Sequence, residues 1–145
     1  MSTTGLHYVD AENYCQAQGT GGHLASIHSR FELQFVGDLM ERSTGLNSLY
    51  WIGLDSLRSQ NVNNYSWIDG TALDFTNWLP GQPADPTNQP CACMWGPRDM
   101  SPIEKQLTWV TDTCSDCLYN LWFVCELLHA TNPPNDMVTA NLPVL

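Results

Sequence analysis

Trp51-Ile52-Gly53-Leu54 is the stretch from which the rest of the chain can be read. An aromatic ring, a β-branched residue and a leucine around one glycine make a short, fully buried strand. The glycine leaves room for another backbone or ring to pack close. Upstream, Ala11, Tyr14, Cys15 and Gln18 recur at helical spacing, and Gly19 with Gly21-Gly22 supplies the stop. This predicts a first helix over 8–18 with Cys15 on its apolar face. Leu24-Ala25-Ser26-Ile27 reads as an extended link. Ser29 and Glu32 then form a capping box for a second helix ended by Gly45. Its predicted buried stripe is Phe31, Phe35 and Leu39, flanked by Val36 and Met40.

Downstream of Trp51 the pattern changes to short strands between turns. Tyr65-Ser66-Trp67-Ile68 is one, closed by Asp69-Gly70. Residues 79–90 carry four prolines (Pro80, Pro83, Pro86 and Pro90) together with Gly81, Asp85 and Asn88. Such a segment cannot be helix or central strand, and a long irregular segment in a compact domain points to a functional loop. Cys91–Trp95, 107–111 and 118–125 read as closing strands. From 127 to 145 the chain reads as a tail that includes Pro133-Pro134.

With 145 residues the chain is one domain by length. Ten aspartates and five glutamates face four arginines and one lysine, Lys105, for a formal net charge of -10. That balance argues against nucleic acid or anionic membrane as partners, because phosphates would repel it. Six cysteines point to an oxidising compartment, hence a secreted, extracellular protein. Asn64-Tyr65-Ser66 is an N-glycosylation sequon, consistent with a glycoprotein. No apolar run approaches the ~20 residues of a membrane helix. No leader-like segment follows Met1, so the sequence reads as a processed or trimmed chain.

The order helix, helix, buried strand, proline-rich loop and paired strands, with cysteines on the first helix and last strand, resembles the C-type lectin-like domain. The residues that carry the resemblance run from Ala11-Glu12 and Cys15 through Leu24–Ile27, Trp51–Leu54 and Trp67-Ile68-Asp69-Gly70. They continue with Phe75-Thr76-Asn77-Trp78, Gly81-Gln82-Pro83, Cys91, Trp109, Cys117 and Phe123-Val124-Cys125-Glu126. The resemblance implies an α+β, disulfide-stapled fold over 1–126, with two helices flanking small antiparallel sheets and a long irregular loop. It also implies disulfides Cys15–Cys125 and Cys91–Cys117. Cys93 and Cys114 are left over, and a Cys93–Cys114 bridge is expected between them. Four thiolates from Cys91, Cys93, Cys114 and Cys117 holding zinc is the alternative, disfavoured where thiols are oxidised.

In sugar-binding members of the family, the loop presents Glu-Pro-Asn or Gln-Pro-Asp. A glutamate before the loop cysteine and an Asn-Asp pair after a strand tryptophan complete a calcium site. Calcium wants six to eight oxygens, several of them anionic. Here Gln82 and Pro83 match, but Ala84 replaces the acid, Gln89 the glutamate, and Val110-Thr111 the Asn-Asp pair. The expectation is therefore no metal or other cofactor at the usual site. A shifted calcium site built on Asp85, Asp112 and Asp116 is the alternative. Gln82, Asp85, Asn88, Gln89, Trp95 and Asp112 are the candidate ligand-binding residues, with the Trp95 ring able to stack on the apolar side of a sugar.

An enzyme is not expected. His7, His23, His28 and His129 lack metal spacing, and no nucleophile motif is present. Met1–Gly5 are too few for the strand that the family places before the first helix. The last strand would then offer an open edge: either the chain is truncated, or 137–145 or a neighbouring copy covers that edge. The expected function is recognition of a glycan, glycoprotein or other extracellular protein without calcium. The alternative is a structural or self-assembly module, including a homo-oligomer through that edge.

Overall fold

The structure is a computed structural model; it describes residues 6–44, 49–59, 64–97, 103–115, 122–128 and 136–139. Helix α1 spans Tyr8–Ala17 and buries Tyr8, Ala11, Glu12 and Cys15, the i, i+3, i+4, i+7 face of one helix. Gly21, at φ 74°, turns the chain into the two-residue strand β1, His23–Leu24. Helix α2 spans Arg30–Thr44. The Ser29 hydroxyl accepts the Glu32 N–H at 3.1 Å, as a capping residue should. The Glu32 carboxylate reaches back to the N–H of His28 rather than that of Ser29, so the box closes one residue early.

The buried stripe of α2 differs from the one predicted. Val36 and Met40 are buried as expected and Leu33 joins them, whereas Phe31 is 83% and Phe35 44% exposed. Both stripes are apolar at helical spacing, so periodicity cannot choose between them. Gly37 decides the matter: a Cβ there would lie 2.8 Å from Leu107 Cδ2, so the face with the glycine is the one that accepts the Leu107 side chain.

Strand β2, Leu49–Asp55, is buried at every position. It is central to a five-stranded sheet of order β3-β2-β4-β5, where β3 is Ser66–Trp67, β4 Cys91–Trp95 and β5 Trp109–Asp112. Strand β6, Trp122–Phe123, pairs with β2 in parallel. A Cβ on Gly53 would meet the Leu24 carbonyl oxygen at 2.4 Å. The Gly53 N–H donates to the Ala25 carbonyl at 2.8 Å, and its own carbonyl accepts from Ile68 at 2.7 Å. The glycine is thus where the link after β1 crosses the strand, which is the close approach its sequence setting implied.

Strand β7, Cys125–Leu128, lies between β1 and β8, Asp136–Thr139, in a second sheet. Of the two covers expected for the β7 edge, the segment of the same chain supplies one, through β8. A short 3-10 turn, Ile103–Lys105, precedes β5. Of the segments expected as strands, 118–121 lie outside the described residues.

Cys15 and Cys125 are bridged, joining α1 to β7 across a separation of 110 residues. The second bridge corrects the expected pairing. Cys91 is bonded to Cys114, not to Cys117, and Cys93 is therefore not bonded to Cys114. The register explains why. Cys91 stands opposite Asp112 and Cys93 opposite Val110. Cys114 continues beyond Asp112 on the same face, so it comes to the end of β4 where Cys91 sits. Cys93 is also disulfide-bonded; Cys117 lies outside the described residues. Bonded sulfurs leave Cys91, Cys93 and Cys114 no thiolates for the zinc alternative.

The core has two parts. Around β2, the rings of Trp67, Phe75 and Trp78 all meet Trp109 edge to face, at centroid distances of 5.5, 5.9 and 5.8 Å. Towards α1, Tyr8, Cys15, Trp51, Phe123 and Cys125 pack together. Asp55 is buried at the end of β2, where it accepts from the Tyr8 hydroxyl at 2.7 Å and pairs with Arg58 at 3.0 Å. Burial pushes its carboxyl above the ordinary range, against the pull of Tyr8 and Arg58.

Candidate functional site

Residues 79–90 leave the core at Leu79, whose N–H donates to the Trp109 carbonyl, and return at Pro90, whose carbonyl accepts from Ser56. Between these anchors the loop folds back on β5. The Gln82 side-chain oxygen accepts both the backbone N–H of Thr111, at 3.1 Å, and its hydroxyl, at 3.0 Å. Thr111 is buried and Gln82 half-buried. Gln82 and Thr111 occupy two of the positions at which the resemblance places calcium ligands. Here they satisfy each other.

Asp85, Asn88 and Gln89 form a turn of their own. The Asp85 carboxylate accepts from the Asn88 side-chain amide at 2.8 Å, and the Asp85 carbonyl accepts the Gln89 N–H at 2.7 Å. The bond from Asn88 holds the Asp85 carboxyl below its usual value. The Gln89 carbonyl accepts the Tyr65 hydroxyl at 3.1 Å, which ties the end of the loop to the residue before β3. Burial raises the Tyr65 hydroxyl above the ordinary tyrosine value, so it stays a donor. Asp112 lies at the end of β5, opposite Cys91, with Oδ1 accepting from the Thr113 N–H at 2.7 Å.

Trp95 is set apart from these residues. It is at the far end of β4, about 13 Å along the strand from Cys91. It is half-buried, and the Lys105 ammonium sits 5.8 Å from the centre of its ring. One face is thus engaged by a cation rather than left open for a sugar. Asn64 is exposed immediately before Tyr65. Asp116 lies outside the described residues.

The donor set does not fit calcium. Of the five family ligand positions, Gln82 alone keeps the family's residue, and its side-chain oxygen already accepts two hydrogen bonds. Among the described residues, no group of three or more histidine, cysteine, aspartate or glutamate side chains could hold a metal ion. Asp85 and Asp112 are each engaged by their own turn.

Sequence order hides one further constellation. Ser26 Oγ lies 3.1 Å from His28 Nε2, and His28 Nδ1 lies 2.7 Å from Asp74 Oδ1. This is the connectivity of a nucleophile relay, but its chemistry is wrong. Ser26 is 6% exposed, and its hydroxyl lies 2.6 Å from Asp69 and 2.9 Å from Glu126. An alkoxide there would face two carboxylates, so the serine serves to position and not to attack. The sequence signal for this cluster is the Asp69-Gly70 turn together with Glu126, all within motifs that carry the family resemblance.

The family model for the lectin C-type domain matches residues 4–127. The alpha chain of snaclec stejaggregin-A from Trimeresurus stejnegeri is 40% identical over 74 residues, which cover 50% of this chain and 47% of that protein. A snaclec chain from Philodryas olfersii is 31% identical over 129 residues, covering 88% of this chain and 72% of that one. The match to the Trimeresurus protein thus spans about half the length of that relative. Among solved structures, a calcium-independent type II antifreeze protein superposes with a TM-score of 0.58 at 30% identity, covering 77% of this chain and 72% of that one. Among the described residues, no helix is long and apolar enough to cross a membrane.

Proposed function

The chain belongs to the C-type lectin domain family, and from that premise we propose that it is a secreted, non-enzymatic recognition domain that binds its ligand without calcium. The ligand is a glycan, a glycoconjugate or another extracellular protein, taken by the loop of residues 79–90. The observation that carries this reading is the Gln82–Thr111 pair. Two neutral side chains close on each other where the family's calcium lectins present oxygens to the metal. The loop is thereby held in shape by hydrogen bonds that no chelator can remove.

Asp85, Asn88 and Gln89 offer polar groups on the turn, with Asp112 at the strand end beside them. Gln82 supports the loop, and Trp95 supports the distant end of β4. Exposed Asn64 in its sequon is the proposed glycosylation site. A glycan array probed with calcium and then with chelator tests the proposal. Hits that survive the chelator support it, and hits that vanish overturn it. A silent array on both arms favours the second reading, a chain that packs against another extracellular protein. That reading draws support from the Trimeresurus relative, whose name marks it as one chain of an assembly. Pairing of β8 with β7 argues that such a contact would use a surface other than the β7 edge.

A further inference from the structure

The turn after β3 is joined to the link before α2 by a network of polar side chains. Its centre is His28. On one side, Nδ1 faces the Asp74 carboxylate at 2.7 Å. On the other, Nε2 faces the Thr71 hydroxyl at 2.9 Å and the Ser26 hydroxyl at 3.1 Å. Both hydroxyls have already committed their protons. Thr71 donates to Asp69 Oδ1 at 2.6 Å, and Ser26 donates to Asp69 Oδ2, also at 2.6 Å. Towards the ring they can only accept. A neutral imidazole has one N–H, and here both ring nitrogens are surrounded by acceptors.

We propose that His28 is held as an imidazolium that clamps residues 69–74 to the link before α2, and that its deprotonation loosens this turn. Once one ring proton is lost, Thr71 or Ser26 must turn its hydroxyl towards the ring, and Asp69 then loses one of its donors. Among the described residues, the charged groups facing the ring are carboxylates: Asp69 and Asp74 from the turn, Glu32 from α2, and Glu126 of β7 behind Ser26. The edge of Trp67 packs against it at 5.9 Å between ring centres. Burial by itself would lower the His28 pKa, but the bond to Asp74 and the surrounding carboxylates outweigh it, so the ring titrates above its ordinary value. Asp74 is correspondingly held below its ordinary value by the same bond.

The sign follows from linkage. With the folded-state pKa above the unfolded one, the clamp is complete below about pH 6.5 and is lost as pH rises through the folded value. The consequence reaches the ligand loop, because the turn runs directly into Phe75–Leu79. There the Asn77 carbonyl accepts the Trp109 N–H at 2.9 Å, and Leu79 donates back to Trp109. The proton on His28 therefore sets how firmly the entering leg of the loop is anchored.

An NMR pH titration of the His28 ring in the full chain, with amide exchange at Thr71 and Gly53, tests this. The Thr71 N–H donates to Asp69 at 2.9 Å and reports on the turn, while Gly53 is a rigid reference within the core. The expected midpoint lies above about 6.5. Asp74→Asn, at a side chain 57% exposed, should lower it without disturbing the core. Thr71 protection, corrected for intrinsic base catalysis, should fall several-fold across the midpoint while Gly53 stays protected. A midpoint at or below 6.5, an unchanged midpoint in Asp74→Asn, or flat Thr71 protection would each overturn the proposal.

Discussion

The end of the molecule built on Cys15 and Cys125 and the end built on residues 79–90 are held by different kinds of bond. At the first, a disulfide joins α1 to β7. Buried Glu12 there accepts from the Leu24 N–H at 2.8 Å and from Gln16 at 2.8 Å, and lies 2.6 Å from His23 Nδ1. At the second, beyond the Cys91–Cys114 bridge at its root, the loop is shaped by single side-chain hydrogen bonds: Gln82 with Thr111, Asn88 with Asp85, and Tyr65 with Gln89. The first end is over-determined, so no single weak contact decides its geometry. The second relies on individually modest hydrogen bonds, each of about 1 kcal/mol net. A fold arranged this way can change its loop chemistry while the scaffold stays intact.

Breaking the scaffold end should give the largest effect. Replacing Cys15 and Cys125 together by alanine opens a closure of 110 residues and should cost on the order of 4–5 kcal/mol, read as a lower melting temperature. Removing the Cys91–Cys114 pair, which closes 23 residues, should cost less, about 3 kcal/mol. Next comes Gly53→Ala. The new methyl would press on the backbone carbonyl of Leu24, which cannot swing aside as a side chain does. A loss of roughly 1–3 kcal/mol is expected in a denaturant melt. If Gly53→Ala proved neutral, the crossing at Gly53 would not be the fixed point of the core.

The smallest loss of stability is expected in the loop. Thr111→Val removes the hydroxyl that reaches Gln82 and should cost about 1 kcal/mol. The loss should be the same in calcium and in chelator, because the two side chains already satisfy each other. A melting temperature that rises with millimolar calcium in the parent chain would reverse that conclusion and point back to the acids around the loop.

Much of the scaffold was legible from residue patterns. The apolar face of α1, the buried β2 strand and the irregular loop all follow from spacing, because each has one period or one set of breakers. The buried face of α2 was legible only in part: Val36 and Met40 are buried as expected, but Phe31-Phe35-Leu39 and Leu33-Val36-Met40 are both apolar stripes on one helix. Leu107 filling the space beside Gly37 chose between them. The partner of Cys91 was equally ambiguous, as Cys114 and Cys117 are three residues apart and strand register had to decide. In the loop, the sequence showed which calcium ligands were missing. It could not show that Gln82 and Thr111, 29 positions apart, meet each other.

His28 marks the same boundary. Its motif neighbours were visible, but Ser26, Asp69, Thr71, Asp74 and Glu126 gather around it only when the turn, the link and β7 are brought together. Residue order alone was enough for the family, the helices, the buried Trp51–Leu54 strand and the loss of the calcium ligands. These rest on local periodicity and on residue identity. Tertiary structure alone decided the α2 face, the second cystine, the Gln82–Thr111 pair and the His28 network. Each of those is a choice between partners of equal local merit, and such choices are settled by distance in space.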